Sequence, residues 1–304
     1  MRALAALLLL LAAPPAAAAE ESRPAELARQ EARVAAIAHR LTTAGARWCP
    51  ETAPQPGWIL SDLRRIEPGE RAAAVQAYGA GDGPFVAAVA PGSAAERAGI
   101  VRGMGVVAID GEAVPTLGDG ATVRIDAVIV MLNALDPATA WTLTDSAGHT
   151  HRIDAAPGCA SAFRVELGGA QAAANGKLVR VTLDLARSVA DEQELAAVLA
   201  HELAHNVLRH RDRLGSDRSA ARVRRTELEA DRLSVWLLAD AGYDPAAAIW
   251  FWNRHKRPLV RAATHPPRSE RIAAIEAEIA AMQAARAADP AAVPAWAAAP
   301  PPLE

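Results

Sequence analysis

The sequence predicts an α+β protein: an α-rich domain interrupted by a small β-rich module. Helical periodicity marks both ends of the chain, over 22–44 and within 191–285. Between them, residues 58–156 carry short apolar runs separated by Gly-rich turns. With 304 residues, 51% of them hydrophobic, the chain can bury one or two cores.

Taken in order, residues 1–19 read as an export leader. Arg2 is a short basic start, Leu4 to Ala13 an apolar run, and Ala16 to Ala19 a small-residue cleavage region. Pro14 and Pro15 end the run short of the ~20 residues a membrane span needs. No Cys stands at the cleavage point to carry a lipid, so the mature protein is expected to be soluble, and periplasmic or secreted. Residues 20–57 are a helix and linker. Ser22 can cap, Pro24 suits the first turn, and Leu27, Val34, Ile37 and Leu41 share a face. Gly45 stops the helix, and residues 50–57 are Pro-rich and loop-like.

Within 58–156, strands are expected at Phe85–Val89, Val106–Ile109 and Trp141–Leu143, and one helix at Arg124–Leu135. The run Pro91-Gly92-Ser93-Ala94-Ala95-Glu96-Arg97-Ala98-Gly99-Ile100 reads as a turn, a short helix and a Gly stop. A strand and an Asp110-Gly111 turn follow. This stretch resembles a PDZ domain of the bacterial protease-associated type. The resemblance implies a peptide groove between Phe85–Val89 and Val123–Leu132, with Phe85, Val86, Val89, Val128 and Leu132 lining it. A purely structural module remains the alternative.

Cys49 and Cys159 flank the module. An inserted domain leaves and re-enters its host at nearby points, and export supplies an oxidising setting. The two are therefore expected to form one disulfide at the module's neck.

After Cys159 the chain reads as helical, with a core over 157–288. Helices are expected at Asp191–His210, Ser219–Ala241 and Arg271–Ala285, and Asp191 with Glu194 can cap the first. The last stretch, 289–304, is Pro/Ala-rich and expected to be disordered. In the first of these helices His201-Glu202-Leu203-Ala204-His205 is an H-E-x-x-H sequence. Residues four apart lie one turn above each other, so both imidazoles face one way and can share a zinc ion. Glu202, in a neighbouring sector, is placed to take a proton from the attacking water. His210 lies nine residues past His201, on the opposite face at ~100° per residue, and reads as a surface side chain. The third ligand is sought in Glu227-Leu228-Glu229-Ala230-Asp231. Glu227 and Asp231 share a face, while Glu229 points away. An ordinary acidic helix surface is the alternative.

These blocks, "DEQELAAVLAHELAHNVLRH", "ELEADRLS" and "THPPRSER", resemble the prenyl-protease and HtpX-like family of zinc metallopeptidases. The resemblance implies a gluzincin-type domain with one zinc ion per chain. It implies that Glu227 is the third ligand, that Asp231 orients a ligand histidine, and that Arg271 pairs with an acidic group. It places His265 near the active site, where it can assist an oxyanion.

A formal net charge of −3 argues against nucleic acid as a partner. The Arg-rich stretch from Arg209 to Arg225 reads as a solvated loop, with contact to lipid phosphate at a membrane surface or to an acidic substrate as the alternative. Trp250, Phe251 and Trp252 read as core, with one of them free to line a cleft. The reading is an exported zinc endopeptidase acting on protein or unfolded polypeptide. The alternative is a PDZ-type binding protein whose zinc site is structural or latent.

Overall fold

The protein is described from a computed structural model, for residues 21–116, 118–255 and 265–303. The expected leader lies outside them. The first helix, α1 (Arg23–Ala44), starts on Ser22, whose hydroxyl accepts from the Ala25 amide at 3.4 Å. Leu27, Val34, Ile37 and Leu41 are fully buried, as their spacing predicts.

The Pro-rich linker is not a loop. It holds β1 (Thr52–Gln55), which reads on into β2 (Trp58–Asp62). Then come α2 (Arg71–Tyr78), β3 (Pro84–Val89), the short α3 (Ala94–Arg97), β4 (Val106–Ile109) and β5 (Glu112–Ala113). Helix α4 (Val123–Asn133) is followed by β6 (Trp141–Asp145), β7 (Thr150–Ile153) and β8 (Ala156–Cys159). Strands β5-β4-β6-β7 form one sheet and β2-β3 another, with Phe85 bridged to Gly105 between them. A separate apolar core, including Val86, Ile109, Ile125, Val128, Trp141 and Leu143, belongs to this module alone.

Strand β1 pairs antiparallel with β8, Thr52 opposite Cys159 and Gln55 opposite Ala156. The chain therefore enters and leaves the module through one two-stranded ribbon. Cys49 and Cys159 are joined by a disulfide across its base, their Cα atoms 5.2 Å apart. Gly158 sits so close to α1 that a side chain there would meet the Thr42 carbonyl oxygen at 2.8 Å. Cys49→Ser is expected to lower the unfolding free energy by up to about 4.7 kcal/mol, the chain-entropy value for a closed loop of about 100 residues. A denaturant midpoint equal to the wild-type value would show that the ribbon alone suffices.

The structure corrects the groove. Phe85, Val86 and Val128 are fully buried, Leu132 is buried, and Val89 is half-buried. Neither edge of β3 is open. One pairs with β2, and on the other the Val86 amide donates to Met104 O at 2.9 Å. The alternation that sends Val86 inward sends Phe85 and Ala87 into the host core against α1. The strands beside α4 are β1 and β2. The seam there is a cavity of about 60 Å³ walled by Trp58, Leu60, Ile129 and Leu132 and, from the host, His39 and Phe163. It has room for a few waters. Ion pairs cross the same interface: Arg65 with Glu31, both buried, and Arg164 with the half-exposed Asp126. Tyr78 donates to Glu31 at 2.7 Å, and burial pushes the Glu31 carboxyl up to about 7.

The host does not turn helical at once after Cys159. Strands β9 (Ala162–Glu166), β10 (Ala172–Ala174) and β11 (Leu178–Thr182) form a sheet in the order β10-β11-β9. β9 and β11 run parallel, and β10 is an antiparallel edge strand. Then come α5 (Leu183–Ser188), α6 (Glu192–Val207), α7 (His210–Leu214), α8 (Ala220–Asp240), α9 (Ala247–Arg254), α10 (Arg268–Ala288) and α11 (Ala295–Ala298). Asp191 caps α6, accepting from the Gln193 and Glu194 amides at 2.8 and 3.2 Å. Glu194 does not complete a capping box; it is buried and paired with Arg254.

The tail expected to be disordered is packed. Trp296 lies under the Arg232 guanidinium, 4.2 Å from its ring centre, and donates to Glu278 at 3.2 Å. Arg213 and Arg225 donate to the carbonyls of Pro301 and Pro302 at 2.7 and 2.9 Å, and Leu303 is buried. The Arg-rich stretch is accordingly not a free solvated loop. Among the described residues no helix is long and apolar enough to cross a membrane.

Candidate metal centre

Helix α6 buries Leu195, Leu199 and Leu203 completely and presents His201 and His205 on another face. Helix α8 packs along it and brings Glu227 and Asp231, one turn apart, to the same side. Side-chain atoms of His201, His205 and Glu227 converge within 4.8 Å of one another. The two Nε2 atoms are 3.1 Å apart, and the Glu227 oxygens lie 3.5 and 3.6 Å from them.

These spacings suit zinc. A tetrahedral shell with bonds of ~2.0–2.1 Å holds its ligand atoms about 3.3 Å apart. Two imidazole nitrogens and one carboxylate also make a borderline donor set of the catalytic kind, which leaves a position open. Helix direction decides between the two glutamates. Glu229, two residues on, points off the site and pairs with Arg213 and His210.

The charges are mutually set. His201 is buried and close to Arg271, both of which oppose its protonation, yet Asp231 and Glu227 push it up to about 9. Burial and the neighbouring His201 hold His205 well below the ordinary histidine range. Burial opposes the charge on Glu227, but His201, His205 and Arg271 hold it ionised, well below the usual carboxylate range. Glu202 is pushed up to about 7 by burial.

Asp231 Oδ1 meets His201 Nδ1 at 3.0 Å, and the Arg271 guanidinium donates to both Asp231 oxygens at 2.7 and 2.6 Å. Arg271 also lies 3.4 Å from Glu227 and stacks over the Trp252 ring at 4.2 Å. His265 Nε2 is 3.7 Å from Glu227. All these residues line one cavity of about 280 Å³ that also holds Glu202, Phe251 and Trp252. Its rim includes Gln171–Ala174, so the edge strand β10 borders the site.

Phe85, Val86, Val89, Val128 and Leu132 lie in the module, away from this cavity. His210, read as a surface side chain, is buried and reaches His205. The helical extrapolation fails because α6 ends at Val207 and Arg209 takes a left-handed conformation, φ 51°. No Gly or Pro marks that break. β10 was missed as well: Ala172-Ala173-Ala174 has no β-branched residue, but the Asn175-Gly176 turn joining it to β11 was a hairpin signal.

Residues 169–223 and 218–279 match the family model described as Peptidase family M48. The chain is also similar to the mitochondrial metalloendopeptidase OMA1 of Schizosaccharomyces pombe, at 31% identity over 28% of this chain and 36% of the relative. It thus spans about a third of that relative's length. Both matches support the metallopeptidase reading, and the family match covers the residues that carry the site.

Proposed function

We propose that the chain is a zinc-dependent endopeptidase of the cell envelope acting on protein or unfolded polypeptide. His201, His205 and Glu227 hold one ion, and Glu202 is the catalytic base. The observation that carries this is the convergence of two Nε2 atoms and a carboxylate at zinc-ligand spacings, in one cavity with Glu202.

Zinc, when bound, supplies Lewis acidity toward the scissile carbonyl and lowers the pKa of water. Glu202 accepts the proton of the attacking water and returns it to the leaving amine. Asp231 holds the His201 ring, and Arg271 holds Asp231. The open edge of β10 offers backbone groups to an extended chain. His265, at the cavity wall, is placed to donate to an oxyanion.

The competing reading, a peptide-binding module with a structural metal, loses support from the seam beside α4, which is too small for a peptide strand. A structural site would also close its fourth position, whereas Glu202 is left beside it. We assign the PDZ-like module a structural role, packed on α1 and β9.

The test is metal removal. Chelation of the purified protein is expected to abolish cleavage of casein, and stoichiometric zinc to restore it. Cleavage that persists in metal-free protein would refute the proposal.

A further inference from the structure

The two imidazoles of α6 are held from behind in different ways. His201 is met directly by Asp231, at 3.0 Å. Behind His205 stands another histidine: Nδ1 of His205 lies 2.8 Å from Nδ1 of His210. The far nitrogen of His210, Nε2, is 3.1 Å from Glu229 Oε2. Arg213 closes the line, with Nη1 2.5 Å from Oε2 and Nη2 3.3 Å from Oε1 of Glu229. His210 and Glu229 are buried, at 2% and 4% exposure, so water does not compete for these contacts.

The hydrogen positions along this line are forced. Nε2 of His205 faces His201 and Glu227, and must present a lone pair there to ligate. A neutral imidazole carries one N–H. That hydrogen is then on Nδ1 of His205, and Nδ1 of His210 must accept it. The hydrogen of His210 is thereby on Nε2, where it donates to Glu229. A carboxylate can only accept, and Arg213 can only donate, so the direction cannot reverse. Each tautomer fixes the next.

The backbone is bent to make the contact. Arg209, at φ 51°, is in a region that non-glycine residues seldom occupy. Its amide still bonds to Asn206 O at 3.1 Å, and α7 starts at once with His210. The two rings meet edge to face, with centres 4.8 Å apart. A strained residue placed next to a functional contact is where such strain concentrates.

We infer that His210 is a positioning residue of the metal centre: His210 and Glu229 together hold the tautomer and ring plane of His205, as Asp231 does for His201. This rests on the assignment of His201, His205 and Glu227 as zinc ligands. The relay puts one neutral ring between the ligand and its carboxylate. The negative charge of Glu229 therefore acts from further away than that of Asp231, and Arg213 offsets it.

Partners of this kind typically contribute 10–100-fold to metal affinity. The experiment is zinc affinity by chelator competition, together with ¹⁵N NMR of the imidazoles in zinc-loaded protein. Wild type is expected to show His205 with its hydrogen on Nδ1, shifted downfield and slow to exchange. His210→Phe keeps the ring and removes both nitrogens. It is expected to weaken zinc binding by about 10–100-fold and to free the His205 Nδ1 hydrogen to exchange, leaving His201 unchanged. Glu229→Gln keeps the packing should His210→Phe not fold, and is expected to weaken zinc in the same direction by less. Wild-type affinity in a folded variant, or a His205 hydrogen on Nε2 in the wild type, overturns the relay alone. A wild-type protein that takes up no zinc overturns the ligand assignment as well.

Discussion

Glu202→Gln is expected to cut turnover of a protein substrate by about 10²–10⁴-fold, the usual span for a general acid–base group. Fold and zinc content should stay as in the wild type. Glu202 lies on the same helix as His201 and His205 but is not among the three converging ligands. Glutamine keeps the shape of the side chain, replaces one accepting oxygen with a donating amide, and cannot take the proton of water. The effect should fall on kcat, because proton transfer belongs to the transition state. Two measurements decide it: metal content of the dialysed protein, and initial rates on casein. Near-wild-type cleavage would remove Glu202 from the reaction. Lost zinc would make it a ligand instead of a base.

Glu227→Ala is expected to reduce zinc affinity by more than about 100-fold, beyond the 10–100-fold that partners behind a ligand contribute. The substitution removes the one anionic donor of the set and leaves two imidazoles. It also unbalances the site, because Arg271, 3.4 Å from Glu227, would then stand beside the histidines with Asp231 alone to offset it. Glu229→Ala is expected to stay within the 10–100-fold range, since it acts through His210. Elemental analysis after dialysis against a weak chelator checks the order. A larger loss for Glu229→Ala than for Glu227→Ala would reverse the ligand assignment.

What could be read in the sequence is what is decided within one helix. The spacing of His201 and His205, the Asp191 cap, and the shared face of Glu227 and Asp231 follow from 3.6-residue periodicity, and the structure brings these groups together. What could not be read depends on contacts far apart in the chain. β9 and β11 are neighbours in the sheet but run parallel, with β10 between them in the chain, so no tight turn joins the two. β3 is buried on both faces because the host supplies a second core, which periodicity within the module cannot reveal. The Pro/Ala composition of the tail says nothing of Trp296 finding Arg232 and Glu278. His210 was misplaced by one residue's backbone: Arg209 bends where no punctuating residue stands.

The ribbon that carries the chain into and out of the module has one more consequence. Cys49 and Cys159 lie 110 positions apart, and every peptide bond of the module falls between them. The bond makes this stretch a covalent ring with the two host segments as its tails. A single nick in the ring, as at the turn around Gly148, opens a loop but severs nothing: α1 stays attached to α6 through sulfur. A cut at this exposed turn therefore leaves the protein one molecule. Two such cuts would release only the piece between them, and the metal centre would keep its first helix.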